Sequence, residues 1–75
     1  MPQVLITLNS MNVHPPLITR AILKHSGLDL AGSKIVSDTI IKDRRAKVKI
    51  GSTDRAKLLI QELGMHGVSS VMVSD

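Results

Sequence analysis

Lys34-Ile35-Val36-Ser37-Asp38-Thr39-Ile40-Ile41 reads as a β-strand, and the strand count, the topology and the exposed surface all follow from that reading. Leu28-Asp29-Leu30 leads into it through Ala31-Gly32-Ser33. Upstream, Gln3 to Leu8 is apolar and β-branched, a strand by propensity. Asn9-Ser10-Met11-Asn12 is turn chemistry, because short polar side chains bond to nearby backbone groups. Pro15 and Pro16 suit the first turn of a helix, where a missing N–H leaves nothing unpaired. The helix follows from Leu17 to His25, with Ile18, Ala21, Ile22 and His25 spaced to form one buried stripe. Gly27 stops it where a left-handed cap is wanted.

Downstream, Lys42-Asp43-Arg44 is a charged reversal into a strand from Arg45 to Ile50. Alternation there is clean: Ala46, Val48 and Ile50 face one way, Arg45, Lys47 and Lys49 the other. Gly51 breaks the strand, and Ser52 or Thr53 caps a second helix with Asp54 near its positive end. Ala56, Leu59, Ile60 and Leu63 form that helix's apolar stripe, Gly64 ends it, and a last strand runs from Val68 to Val73. The order βαββαβ predicts an α+β ferredoxin-like sandwich: a four-stranded antiparallel sheet, order 4-1-3-2, with two helices on one face. In that frame the strand from Arg45 is central and aims its three cations at the bare face of the sheet. Gln3, Leu5 and Thr7 share that face if Val4, Ile6 and Leu8 turn to the helices.

At 75 residues the chain is expected to form a single domain of modest stability, residues 1–75. It has no cysteine, which excludes disulfides and thiolate metal sites, and no Phe, Tyr or Trp, so its core is aliphatic. No apolar run reaches the ~20 residues that span a bilayer, and no basic leader precedes the first strand. No membrane association and a cytoplasmic location are therefore expected. The net charge is +4, and eight of the ten Lys and Arg residues lie between Lys34 and Lys57. Such an excess attracts phosphates, anionic metabolites or acidic protein surfaces. Base stacking on aromatic rings, the usual device of RNA-reading sheets, is impossible without aromatics. Arg45, Lys47 and Lys49 retain the means to hold phosphates in a salt-sensitive way.

Catalytic chemistry is missing. There is no nucleophile elbow and no glycine-rich phosphate loop, and no orienting carboxylate accompanies Ser10 and His14. His14, His25 and His66 show no short ligand spacing, and His25 falls on the core stripe. No enzyme, cofactor or metal site is expected. The better site is the turn after the first strand, where Asn9, Ser10, Met11, Asn12 and His14 gather donors and acceptors beside a helix N-terminus.

The run Asn12-Val13-His14-Pro15-Pro16-Leu17-Ile18-Thr19, the helix exit Gly27-Leu28-Asp29-Leu30, the start at Gly51-Ser52-Thr53-Asp54 and the entry Gly67-Val68 carry a family likeness. Together they resemble the ACT-like regulatory domains, in particular the NIL subgroup, over nearly the whole chain. Leu30-Ala31-Gly32-Ser33 stands where the Asn-Ile-Leu signature would be. The resemblance implies a dimer that senses an amino acid or similar metabolite near the subunit interface. A weaker similarity is to heavy-metal-associated domains, with Val13 and Pro16 where their thiols belong. The alternative expectation is a protein- or nucleic-acid-interaction domain using the basic sheet face. A homodimer is expected independently, because the last strand is an edge without Lys, Pro or other guard.

Overall fold

The computed structural model describes residues 2–9 and 13–73. Three strands and three helices follow one another: β1 (Gln3–Thr7), α1 (Pro15–Ser26), α2 (Leu30–Asp43), β2 (Arg45–Lys49), α3 (Thr53–Met65) and β3 (Ser69–Val73). The sheet has three strands in the order β2-β1-β3, and β1 is antiparallel to both neighbours. Thus β2 and β3 are parallel to each other and separated by β1, with α3 as the crossover between them.

This overturns the four-stranded 4-1-3-2 sandwich with two helices. The expected strand at Lys34–Ile41 is the body of α2. Asp29 caps that helix: its backbone is extended, and its Oδ1 accepts the Gly32 N–H at 2.7 Å. The buried positions are Ser33, Ser37 and Ile40, with Val36 and Ile41 packed against the core. That is a helical stripe at i, i+3, i+4, i+7 and i+8. Ile35 falls off the stripe and is 67% exposed, whereas Ile40 is fully buried. The helix ends at Arg44, in the left-handed region at φ 67°. That turn releases the chain directly into β2. With no strand beyond it among the described residues, β2 is an edge strand and not the central one.

The other elements follow from their sequence. In α1 the buried residues are Ile18, Ala21, Ile22, His25 and Ser26, and Gly27 closes the helix at φ 82°. Ser52 caps α3 by accepting the Arg55 N–H at 3.2 Å, and Ala56, Leu59 and Leu63 are buried. The helix continues one residue past Gly64, and the turn falls at Gly67, φ 78°.

Along β1, Val4 and Ile6 are buried while Gln3, Leu5 and Thr7 are only half-buried, so one sheet face carries the helices and the other is open. A single aliphatic core joins Val4, Ile6, Leu8, Val48, Ile50 and Val68 to the inner stripes of the helices. In the helical layer α1 sits in the middle, touching both α2 and α3, with α2 over β2 and α3 over β3. No helix among the described residues is long and apolar enough to cross a membrane.

Candidate functional site

The three residues Gly27, Leu28 and Asp29 fold α2 back on α1, bringing Ser37 in the middle of α2 to Pro15 at the start of α1. Ser37 Oγ donates to the Pro15 carbonyl at 3.5 Å, and Thr19 Oγ1 reaches the same oxygen at 3.1 Å. The inner face of α2 is built from serines at 33 and 37, which are small enough for the two helices to approach closely at their base. Above that base they diverge into a groove of about 550 Å³.

A second stripe of α1, at Pro16, Thr19, Arg20 and Leu23, forms one wall. Leu30, Lys34, Ser37 and Asp38 of α2 form the other. Both sets repeat at helical spacing, so each helix presents two faces, one to the core and one to the groove. Leu23 and Leu30 are 40% and 55% exposed, and both stand in the groove wall. Arg20 and Lys34 bring cations to opposite walls, with Asp38 the acid on this surface. None of these three forms an ion pair among the described residues.

Of the residues expected to form the ligand loop, the structure describes Asn9 and His14. Ser10, Met11 and Asn12 lie outside the described residues. Asn9 is exposed, and its Nδ2 donates to Ser69 Oγ at 3.0 Å, tying the end of β1 to the start of β3. His14 is exposed at the N-cap of α1, its side chain making no cap bond, while its carbonyl accepts the Leu17 N–H at 2.9 Å. With Pro15 and Pro16 at the first helical positions, this N-terminus lacks two of the N–H groups that would hold an anion.

The cationic row is real in placement but differs in position. Arg45, Lys47 and Lys49 are exposed along edge strand β2, opposite Thr7, Leu5 and Gln3 of β1. A shallow concavity of about 390 Å³ lies between these strands, lined by Leu5, Arg45, Ala46 and Lys47. Across β1, the open face continues with Ser69, Val71 and Val73 of β3, so no acid is found on it among the described residues.

His25 has a structural partner. Its Nε2 lies 3.1 Å from Glu62 Oε1, and Lys24 Nζ lies 3.4 Å from the same oxygen, joining α1 to α3. Burial pushes the Glu62 carboxyl upward, but the bonds from His25 and Lys24 outweigh it and hold its pKa below the ordinary glutamate value. Among the described residues no three His, Cys, Asp or Glu side chains converge as metal ligands.

Arg20, Leu23, Leu30 and Lys34 were not legible as a site from the sequence. A signal exists in α1, where positions 16, 19, 20 and 23 repeat beside the core stripe. Its meaning depends on α2 being a helix. No family model, curated protein or solved structure matches the chain.

Proposed function

We propose that this chain is a non-catalytic protein-binding module that takes an amphipathic, acidic segment of a partner into the groove between α1 and α2. The observation that supports this reading is the exposure of Leu23 and Leu30 in facing walls whose cations are Arg20 and Lys34. Apolar side chains at helical spacing on an exposed face gain by covering, and an apolar segment laid between two helices covers them. Arg20 and Lys34 favour a segment whose flanks carry carboxylates. A free metabolite suits this surface less well, because small-ligand sites bury most of the ligand. Here Pro16, Arg20, Leu23, Leu30, Lys34 and Asp38 are all exposed. Amino-acid sensing, which the ACT-like resemblance implies, is expected on a four-stranded sandwich, whereas the sheet here has three strands.

The test is an NMR titration of isotope-labelled protein with an acidic amphipathic helical peptide bearing leucines at i, i+4 and i+7. Shifts concentrated at Arg20, Leu23, Leu30 and Lys34, lost in Leu23→Ser and Leu30→Ser, are the expected result. Shifts spread evenly, or shifts that both variants preserve, refute the reading.

The acid-free row of Arg45, Lys47 and Lys49 favours a second reading, a weakly specific polyanion contact on the open sheet face. Titration with a single-stranded oligonucleotide separates the two. Shifts on β2 that collapse with added salt belong to the polyanion contact. Groove shifts that survive salt belong to the apolar one.

A further inference from the structure

The two edges of the sheet differ in one respect that decides what each can pair with. In β2 the side chains at alternate positions are Arg45, Lys47 and Lys49, all exposed. An antiparallel two-fold pairing of this strand with itself sets Lys47 against Lys47 of the second copy and Arg45 against Lys49. Like charges directly opposite are destabilising, and lysines on an edge are a recognised guard against such pairing. Strand β3, Ser69-Ser70-Val71-Met72-Val73, has no charge and no proline. It is hydrogen-bonded only to β1, so its outer row of backbone N–H and C=O groups has no strand partner among the described residues.

We infer that β3 is the edge on which a second copy of this chain pairs, antiparallel about a two-fold axis through Val71. Val71 then meets its own counterpart, Ser70 meets Met72, and Ser69 meets Val73, with no charge on either side. Val71 is 56% exposed and lies on the open face beside Leu5, and Met72 is exposed on the helical side, opposite Val4. On the same flank, Ile60 is half-buried. Glu62 points at α1, and Ile60 is about 200° around the helix from it, on the side away from α1. Pairing covers Ile60 and Met72 from above and Val71 and Val73 from below, while the backbone row is satisfied between them.

The two-fold axis stands perpendicular to the sheet. The product is therefore a six-stranded sheet ordered β2-β1-β3-β3-β1-β2, with all six helices on one side. Both cationic edges end up on the outside, where they stop further growth. Five residues make a short seam, about 17 Å, so the pairing is a concentration-dependent one. It does not depend on what occupies the groove between α1 and α2, which lies at the far side of α1.

Sedimentation equilibrium from about 10 µM to about 1 mM tests it. The weight-average mass is expected to climb from the 8.1 kDa of one chain toward twice that value. Val71→Lys, which sets like charges at the axis, is expected to remain at the mass of one chain with unchanged far-ultraviolet circular dichroism. Lys47→Glu, on the other edge, is expected to leave the association as it was. Should Val71→Lys not fold, hydrogen exchange of the wild type replaces it, with protection of the β3 amides rising with concentration. A constant monomer mass, an association that Val71→Lys leaves intact, or β3 protection independent of concentration overturns the inference.

Discussion

Ile40 and Ile35 occupy different sides of α2, and truncating each to alanine tests the burial that the fold assigns to them. Ile40 is fully buried, so Ile40→Ala loses the transfer energy of the removed carbons and leaves a cavity, about 2–5 kcal/mol together. Ile35 is 67% exposed. About a third of the ~1.5–3 kcal/mol for full side-chain burial is at stake there, and alanine's better helix propensity returns several tenths. The expected cost of Ile35→Ala is therefore within about 0.5 kcal/mol of zero. At about 0.05–0.15 kcal/mol per residue, a chain of 75 residues has roughly 4–11 kcal/mol in total, so the Ile40 variant approaches or crosses the limit of folding. With no Phe, Tyr or Trp there is no intrinsic fluorescence to follow, and the assay is urea unfolding by circular dichroism at the helical band. For a slope near 1 kcal/mol per molar urea, the Ile40→Ala midpoint falls by about 2 M or more while that of Ile35→Ala stays put. Equal losses at both positions, or a neutral Ile40→Ala, would refute a helix at this place, because a helix cannot bury 35 and 40 alike in this core.

Two further substitutions probe the local chemistry. Asp29→Ala removes the acceptor of the Gly32 N–H and is expected to cost about 0.5–2 kcal/mol, seen as a drop of several degrees in Tm; an unchanged Tm contradicts the cap. Glu62 has its pKa lowered in the folded state, so its contribution is complete above the unfolded value, near 4.3, and is lost as pH falls through the folded one. Wild type is therefore expected to lose more of its urea midpoint between about pH 6 and about pH 3 than Glu62→Gln does, and parallel pH profiles count against the bridge to His25 and Lys24.

Why the sequence misleads at α2 and not elsewhere is a matter of which residues carry the stripe. In α1 and α3 the inward positions are almost all aliphatic, and hydrophobic periodicity finds them. In α2 two of the three buried positions are serines, invisible to a pattern built on apolar residues. What remains visible is Ile35, Val36, Thr39, Ile40 and Ile41, β-branched residues whose propensity favours a strand. The stronger signal was the cap: Asp29 three residues before Gly32, immediately after a helix stop at Gly27, is a start signature of its own. The inward face of β1, the Gly27 stop of α1, the Ser52 cap of α3 and the alternation in β2 depend on neighbours in sequence, and these are readable. The groove depends on two helices lying side by side, so it is not legible where the sequence reads one of them as a strand.

The change at residues 34–41 also alters what the charged strand is for. A strand in that position would have been hydrogen-bonded along the outside of β2, and Arg45, Lys47 and Lys49 would then have stood on a central strand with no structural reason to be basic. As α2 is a helix, no strand among the described residues pairs with the outer side of β2, and a row of cations there has an architectural use in keeping other strands away. That use accounts for the placement of these side chains without a ligand. Leu23 and Leu30 lie outside the core cluster, and covering them would remove apolar surface from water. Of the two surfaces, the groove is therefore the one on which we place the proposed partner.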